Sequence, residues 1–261
     1  MAKIVSVHGL RGGTGKTNIT ANMAFSLAAS GKRVGVVDAD ISSPGLHHIF
    51  GVDVSRLEYT LNDYLWGTCA VEETATDVGQ SLTDDAGDFA VSRGALFLVP
   101  ARNKVNEIAR ILRQDHDGKR LAKGYLDLAE SLKLDVLFLD THPGLNADTL
   151  LALNMSDVLF LVLRPDKQDF QDTSLALEVA RKLKVRRTYL VLNKVVSGMN
   201  VTDMQERVES LYGVSVAGIL PLSMTMARMG SNALFALKEP SHVLSREIAS
   251  IASKALVEEE I

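Results

Sequence analysis

The chain has 261 residues, 46% of them hydrophobic, and its 28 basic and 32 acidic residues leave a net charge of −4. That size and apolar content support a large buried core, and the near-balanced charge carries no molecule-wide signature of a nucleic-acid partner. A single cysteine, Cys69, excludes an intrachain disulfide framework and a CxxC metal pair, which fits a reducing cytosol.

Lys3 alone precedes the first apolar run, so no secretory signal is predicted, and no uncharged apolar run reaches the ~18 residues that suggest a membrane span. There is no long Pro/Ser/Gly linker, repeat or low-complexity tract. The expectation is a cytoplasmic protein built as one domain over residues 1–261.

The first apolar run, Ile4–Val7, reads as a buried strand. It leads into Gly9-Leu10-Arg11-Gly12-Gly13-Thr14-Gly15-Lys16-Thr17, and a helix is predicted from Lys16 to Ala29, stopping at Gly31. A glycine-rich turn between strand and helix gathers backbone N–H groups and a helix N-terminus around one point, which suits phosphate. Lys16 adds a mobile charge for β- and γ-phosphates, and Thr17 adds a hydroxyl for Mg²⁺. Inside the helix, Ala21, Ala24, Phe25 and Ala28 form an apolar stripe beside Ile19, Met23 and Leu27, as in a core helix.

A second strand, Val34–Val37, ends in Asp38-Ala39-Asp40, with two carboxylates at the strand's carboxyl end. Residues 42–51 read as a loop containing Pro44, Gly45, His47 and His48. With only Asp53 nearby, the paired histidines read as a surface turn or helix start rather than a metal site. Leu61, Leu65 and Trp66 suggest a short helix. Glu72, Glu73, Asp77, Asp84, Asp85 and Asp88 then make an acidic stretch, read as a solvated excursion, with a partner-facing loop as the alternative. Ala95–Val99 and Pro100 return the chain to the core. Helices are predicted near Val105–Arg113 and Leu121–Leu132.

The strand Val136–Leu139 runs into Asp140-Thr141-His142-Pro143-Gly144. An apolar run ending in Asp is a Walker B pattern, whose carboxylate supports Mg²⁺ beside the phosphate loop. Gly144 offers a hinge able to sense the γ-phosphate. His142 is read as loop packing, or alternatively as a contact to the terminal phosphate or to a dimer partner. The strand Val158–Leu163 closes with Arg164-Pro165-Asp166, and a helix follows over Asp169–Leu183. Arg181, Lys182, Lys184, Arg186 and Arg187 form a basic cluster, read as a solvated helix end or as a contact to DNA phosphate or lipid headgroups.

Thr188–Leu192 ends at Asn193-Lys194, where an amide can both donate to and accept from a base edge. Val201, Met204, Val208 and Leu211 mark an amphipathic helix, and Val216–Leu220 a further strand. After Leu222–Leu237, a terminal helix over Val243–Leu256 presents Leu244, Ile248, Ile251 and Ala255 for packing on the sheet. The alternation of strands and helices predicts a doubly wound, mostly parallel central sheet of about seven or eight strands with helices on both faces.

The stretches Arg11–Thr17, Asn22, Asp38–Asp40, Leu61–Gly67, Leu98–Pro100, Asp140–Gly144, Asn193-Lys194 and Gly218–Pro221, in this order, resemble the deviant Walker A ATPases of the MinD/ParA family, nearer to MinD. The resemblance covers nearly the whole chain. One departure is Arg11, where the family carries its signature lysine. The resemblance implies a P-loop fold with ATP and Mg²⁺ as ligands. It also implies slow, partner-stimulated ATP hydrolysis coupled to a cycle between monomer and ATP-sandwich homodimer that positions or partitions a cargo. A stimulating protein partner and a surface, either non-specific DNA or a membrane, belong to that picture. By position, Lys16, Asp40 and Arg11 are the catalytic candidates, Asp40 orienting the attacking water and Arg11 reaching across the dimer. Gly12, Gly13, Thr14, Gly15, Lys16, Thr17 and Asn18 would surround the phosphates, Asn193 and Pro221 would meet adenine, and Thr17, Asp38 and Asp140 would support the metal. The acidic end Val257-Glu258-Glu259-Glu260-Ile261 differs from the basic amphipathic tail of MinD, and an anionic membrane would repel it. The alternatives are a nucleotide-dependent scaffold with little hydrolysis and a metabolic ligase on the same fold. The iron–sulfur members of the fold are disfavoured by the single cysteine.

Overall fold

The computed structural model describes residues 2–80, 82, 94–103 and 118–257. The expected helix at Val105–Arg113, the acidic positions Asp84, Asp85 and Asp88, and Glu258–Ile261 lie outside the described residues.

The continuous aliphatic runs form strands because both of their faces are covered. They are β1 (Lys3–His8), β2 (Arg33–Asp38), β3 (Thr76–Asp77), β4 (Ala95–Val99), β5 (Val136–Asp140), β6 (Val158–Leu163), β7 (Arg187–Val195) and β8 (Val216–Pro221). Together they make one eight-stranded sheet in the order β3-β4-β2-β5-β1-β6-β7-β8. All neighbours are parallel except β3, which runs antiparallel to β4. The seven predicted strands are all present. β3 was not predicted, since two residues at a sheet edge carry too short a pattern to register.

The helices are α1 (Lys16–Ala29), α2 (Leu46–Ile49), α3 (Leu61–Leu65), α4 (Gly118–Ser131), α5 (Ala147–Met155), α6 (Lys167–Lys182), α7 (Val201–Tyr212), α8 (Met224–Met229), α9 (Phe235–Lys238) and α10 (Val243–Ser253). The period-two alternation of strand side chains sorts them into layers. From β5, Val136 and Phe138 join the core that holds α1 and α10, whereas Leu137 and Leu139 join the one that holds Tyr125 and Leu128 of α4. From β6, Val158, Phe160 and Val162 face α1, and Leu159, Leu161 and Leu163 face Ala176, Leu177 and Ala180 of α6. α1 carries apolar residues nearly all round because it is covered nearly all round; Ala21, Met23, Ala24 and Ala28 have no solvent exposure.

Two expectations change. The stretch from residue 57 to 82 is no plain solvated excursion: Leu61, Tyr64, Val71 and Val78 are buried in the two cores. In α7, Val208 and Tyr212 are buried, but Val201 and Leu211 of the predicted stripe are exposed. Tyr212 takes the inward position, and its hydroxyl donates to the Phe170 carbonyl at 2.6 Å. The paired histidines fall in α2, in line with the helix-start reading, where His47 is buried and its ring lies against His48. Leu244, Ile248 and Ile251 of α10, and Ala255 just beyond its end, are buried as expected, against α1 as well as the sheet.

Candidate functional site

The strand register brings the site together. β5 lies between β2 and β1, and Asp38 at the end of β2 is paired in register with Asp140 at the end of β5. Val7 of β1 stands opposite the same Asp140. The loop from β1 into α1 therefore passes directly over two buried carboxylates, at the carboxyl ends of the strands, where open parallel sheets bind ligands.

The loop is compact because glycine allows it. A Cβ on Gly9 would stand 2.5 Å from the Val162 carbonyl oxygen. Gly15 precedes α1 with φ of 101°, and the amide of Asn193 occupies the space a Cβ would need. Two outer loop carbonyls are engaged from β7: Asn193 Nδ2 donates to Thr14 O and Lys194 Nζ to Gly13 O, each at 2.7 Å. Lys16 Nζ bridges the loop to Arg11 O at 3.0 Å. Lys16 is buried, which lowers its pKa, while Asp140, Asp40 and Asp169 pull the other way.

The carboxylates beneath are strongly perturbed. Burial pushes the Asp140 carboxyl up to about 6, against the opposing pull of the Thr17 hydroxyl and of Lys16. Thr20 Oγ1 lies 3.1 Å from Asp140 Oδ1 and 2.9 Å from Lys16 O, so its one proton serves either acceptor. Asp38 is raised well above the usual carboxylate range, by burial and then by Asp140. Its Oδ2 accepts from Gly45 N at 2.9 Å and Leu46 N at 3.0 Å, fastening the loop after β2. Its Oδ1 is buried with no hydrogen-bond partner among the described residues. An orphaned carboxylate oxygen, a second carboxylate and the Thr17 hydroxyl form a hard oxygen donor set of the kind Mg²⁺ takes. Among the described residues no three His, Cys, Asp or Glu side chains make a self-sufficient metal cluster.

Two loops leave the paired strand ends and meet two residues further on. Asp40 follows Asp38 by two residues and His142 follows Asp140 by two, and His142 Nδ1 stands 2.7 Å from Asp40 Oδ1. The bond is in line with the loop-packing reading of His142, though the partner, Asp40, was not foreseen.

Arg11 is engaged within its own chain, with Nε donating to Asp172 Oδ2 at 2.8 Å and Nη1 to Gln168 Oε1 at 2.6 Å, both on α6. Its side chain keeps 38% exposure. Asn193, expected at a base edge, is committed to Thr14 through Nδ2 and to the Lys194 N–H through Oδ1. Pro221 lines the smaller of the two cavities described next. Asn18 donates to Ser231 Oγ at 2.9 Å, and Asn22 Oδ1 accepts from Ala236 N at 2.7 Å, tying α1 to the segment around α9.

A cavity of about 500 Å³ opens beside the loop, lined by Gly15, Lys16, Thr17, His48, Lys194 and Asn232 among others. An adjoining one of about 240 Å³ is walled by Asn193, Pro221, Met226, Leu244 and Ile248 among others, a lining of both polar and apolar side chains. The apolar groove between α6 and α7, lined by Phe170, Met199, Met204 and Leu211, contains none of these polar groups.

Residue reasoning missed Thr20, Ser231 and His8. Thr20 carried a signal, since it sits four residues after Lys16 on one helix face. His8 is fully buried at the end of β1 with Nδ1 2.8 Å from Thr141 Oγ1, and burial lowers its pKa to about 3. In the basic cluster, Arg181 donates to the Tyr212 carbonyl, Arg186 lies 3.5 Å from Asp157, and Arg187 donates to the Val257 carbonyl. Those three charges serve intrachain bonds. Among the described residues no helix is long and apolar enough to cross a membrane.

The family described as the CobQ/CobB/MinD/ParA nucleotide binding domain matches residues 5–234. An uncharacterized ATP-binding protein of Methanocaldococcus jannaschii is 26% identical over 221 residues, covering 85% of this chain and 75% of its own length. The flagellum site-determining protein YlxH of Helicobacter pylori is 27% identical over 218 residues, covering 83% of this chain and 66% of its own length. Among solved structures, the septum site-determining protein MinD of Pyrococcus horikoshii, complexed with Mg-ADP, superposes with a TM-score of 0.79 at 22% identity, covering 97% of this chain and 96% of that one. At that identity the likeness is one of fold.

Proposed function

Because the chain belongs to the CobQ/CobB/MinD/ParA nucleotide-binding family, we propose that it is a cytoplasmic ATPase switch: it binds ATP with Mg²⁺, pairs with a second copy around two nucleotides, and is reset by slow hydrolysis that a protein partner accelerates. The observation that carries this reading is the in-register pairing of Asp38 with Asp140 directly beneath Lys16 and Thr17. Relatives named for ATP binding, for flagellum and septum site determination and for a bound Mg-ADP support it.

The chemistry is mostly placement and charge stabilisation. The loop Gly12–Gly15 and the start of α1, through Thr17 and Asn18, cradle the phosphates. Lys16 leaves the Arg11 carbonyl to neutralise charge that builds on the terminal phosphate. Thr17, Asp38 and Asp140 hold Mg²⁺, which screens the phosphates and orders their oxygens. Asp40 orients the attacking water. Asn193 keeps the loop seated, and the slot beside Pro221 takes the base. Arg11 exchanges Asp172 for phosphate oxygens across the dimer, where a guanidinium fork fits well. In such a switch the dimer positions or partitions a cargo on a surface, DNA or membrane.

The test is phosphate release from ATP, with and without Mg²⁺, in the presence and absence of DNA and of anionic vesicles. Mg²⁺-dependent release that any of these conditions raises supports the switch. Tight nucleotide binding with no release above background in every condition overturns it in favour of a scaffold.

A further inference from the structure

We propose that His142 is a positioning residue for the Asp40 carboxylate, locking the loop after β2 to the loop after β5 in the arrangement that hydrolysis requires. The assignment rests on the reading of Asp40 as the group that orients water.

The geometry comes from the sheet. Asp38 and Asp140 are in register, and Ala39 N donates to the Asp140 carbonyl at 3.0 Å, so the two chains leave the sheet side by side. Two residues later, His142 Nδ1 meets Asp40 Oδ1 at 2.7 Å. A carboxylate only accepts, so the ring donates through Nδ1–H. The same Oδ1 also accepts from Ser43 N at 3.0 Å. One carboxylate oxygen is thereby held by two donors from two different loops. The rotation of the carboxylate is set, and Oδ2 is turned to whatever stands before it. His142 is anchored in turn: its carbonyl accepts from Thr149 Oγ1 at 3.3 Å, on α5, whose first turn is capped by Asn146.

The exposures argue for a role in chemistry rather than in holding the fold. Asp40 retains 13% exposure and His142 32%, so neither belongs to the core. The bond joins two loops that a bound triphosphate would have to address together. A water-orienting group must be held closely, since a misplacement of about 1 Å can cost on the order of 100-fold in rate.

The experiment measures ATP turnover, binding of a non-hydrolysable ATP analogue and thermal unfolding for the wild type, His142→Ala and His142→Asn. In His142→Asn, the side-chain Nδ2 can take the place of the ring Nδ1. Expected are a kcat lowered about tenfold or more in His142→Ala, KM and analogue affinity within about twofold, and recovery to within about threefold of wild type in His142→Asn. The unfolding midpoints should agree within about 2 °C. A His142→Ala protein with full kcat overturns the assignment, as does an Asn variant no better than Ala, or a loss confined to KM. A wild type that binds ATP but never turns it over overturns the hydrolase reading, and this assignment with it. A wild type that hydrolyses ATP alongside an equally active His142→Ala variant overturns the assignment alone.

Discussion

Arg11 Nε donates to Asp172 Oδ2 at 2.8 Å, so the guanidinium beside the phosphate loop is folded back onto its own α6. Both side chains are well exposed, at 38% and 40%, and ion pairs of that kind contribute about 1 kcal/mol or less. The contact holds the arginine in place but is easily exchanged. Arg11→Ala is expected to leave thermal stability within about 3 °C of wild type while abolishing ATP-dependent dimerisation. Light scattering with and without ATP reads the outcome, and a dimer that persists in Arg11→Ala sinks the cross-subunit role.

Gly15 is the position where the loop has no tolerance. Its φ of 101° is left-handed, and the Asn193 amide fills the space beside it. Gly15→Ala forces a strained backbone worth about 1–3 kcal/mol and displaces the brace on Thr14 O. The variant should fold with reduced stability and lose nucleotide affinity at least tenfold, as followed by titration with a fluorescent ATP analogue. Unchanged affinity would show that the Asn193 brace does not set the shape of the loop.

Thr20 places its hydroxyl 3.1 Å from the buried Asp140 carboxylate. Removing a hydrogen bond to a buried charged acceptor costs on the order of 1–3 kcal/mol. Thr20→Val, close in shape, should lower the free energy of unfolding in urea by about that amount. Thr20→Ser should retain most of it. A Thr20→Val protein as stable as wild type, with the loss confined to Thr20→Ser, would mean that the methyl contact, and not the hydroxyl, accounts for the effect.

His8 titrates against folding in acid. Its folded pKa lies near 3, below the ordinary 6.5, because burial disfavours the imidazolium and Lys16 adds to that. Below pH 6.5 the unfolded chain takes up a proton that the folded one refuses. The stability from His8 is therefore complete above pH 6.5 and declines as the pH falls towards 3. The slope is about 1.4 kcal/mol per pH unit for one proton. Asp38 and Asp140, raised by burial, act in the opposite sense, so the comparison must be with His8→Gln. Unfolding free energies measured between pH 7 and 5 should fall more steeply for the wild type than for the variant. Parallel slopes would remove His8 from the account.

Much of the architecture was legible along the chain because the physics involved is local. Ile4–Val7, Val136–Leu139 and Val158–Leu163 are too short and too evenly apolar to be anything but strands covered on both faces, and all three are. Lys16–Ala29 starts after a glycine turn and ends before Gly31, so its limits could be read directly. The glycines around Lys16 were legible as a tight strand-to-helix turn for the same reason, and Gly13 and Gly15 have the positive φ such a turn needs. Where outward and inward faces depend on a distant neighbour, periodicity misled: in α7 it favoured Leu211, but the space beneath α7 accommodates Tyr212.

What the sequence determined by itself is therefore the chain-local part: strands, helices, the phosphate loop, and the presence of carboxylates at the ends of β2 and β5. What only the tertiary structure decided is which of those groups meet. Asp38 and Asp140 are 102 residues apart and lie side by side because β2 and β5 pair in that register. Asp40 reaches His142 across 102 positions of the chain, and Arg11 reaches Asp172 across 161. No spacing in the sequence encodes a contact between residues more than a hundred positions apart, because strand order and register are settled by packing of the whole sheet and not by any one segment.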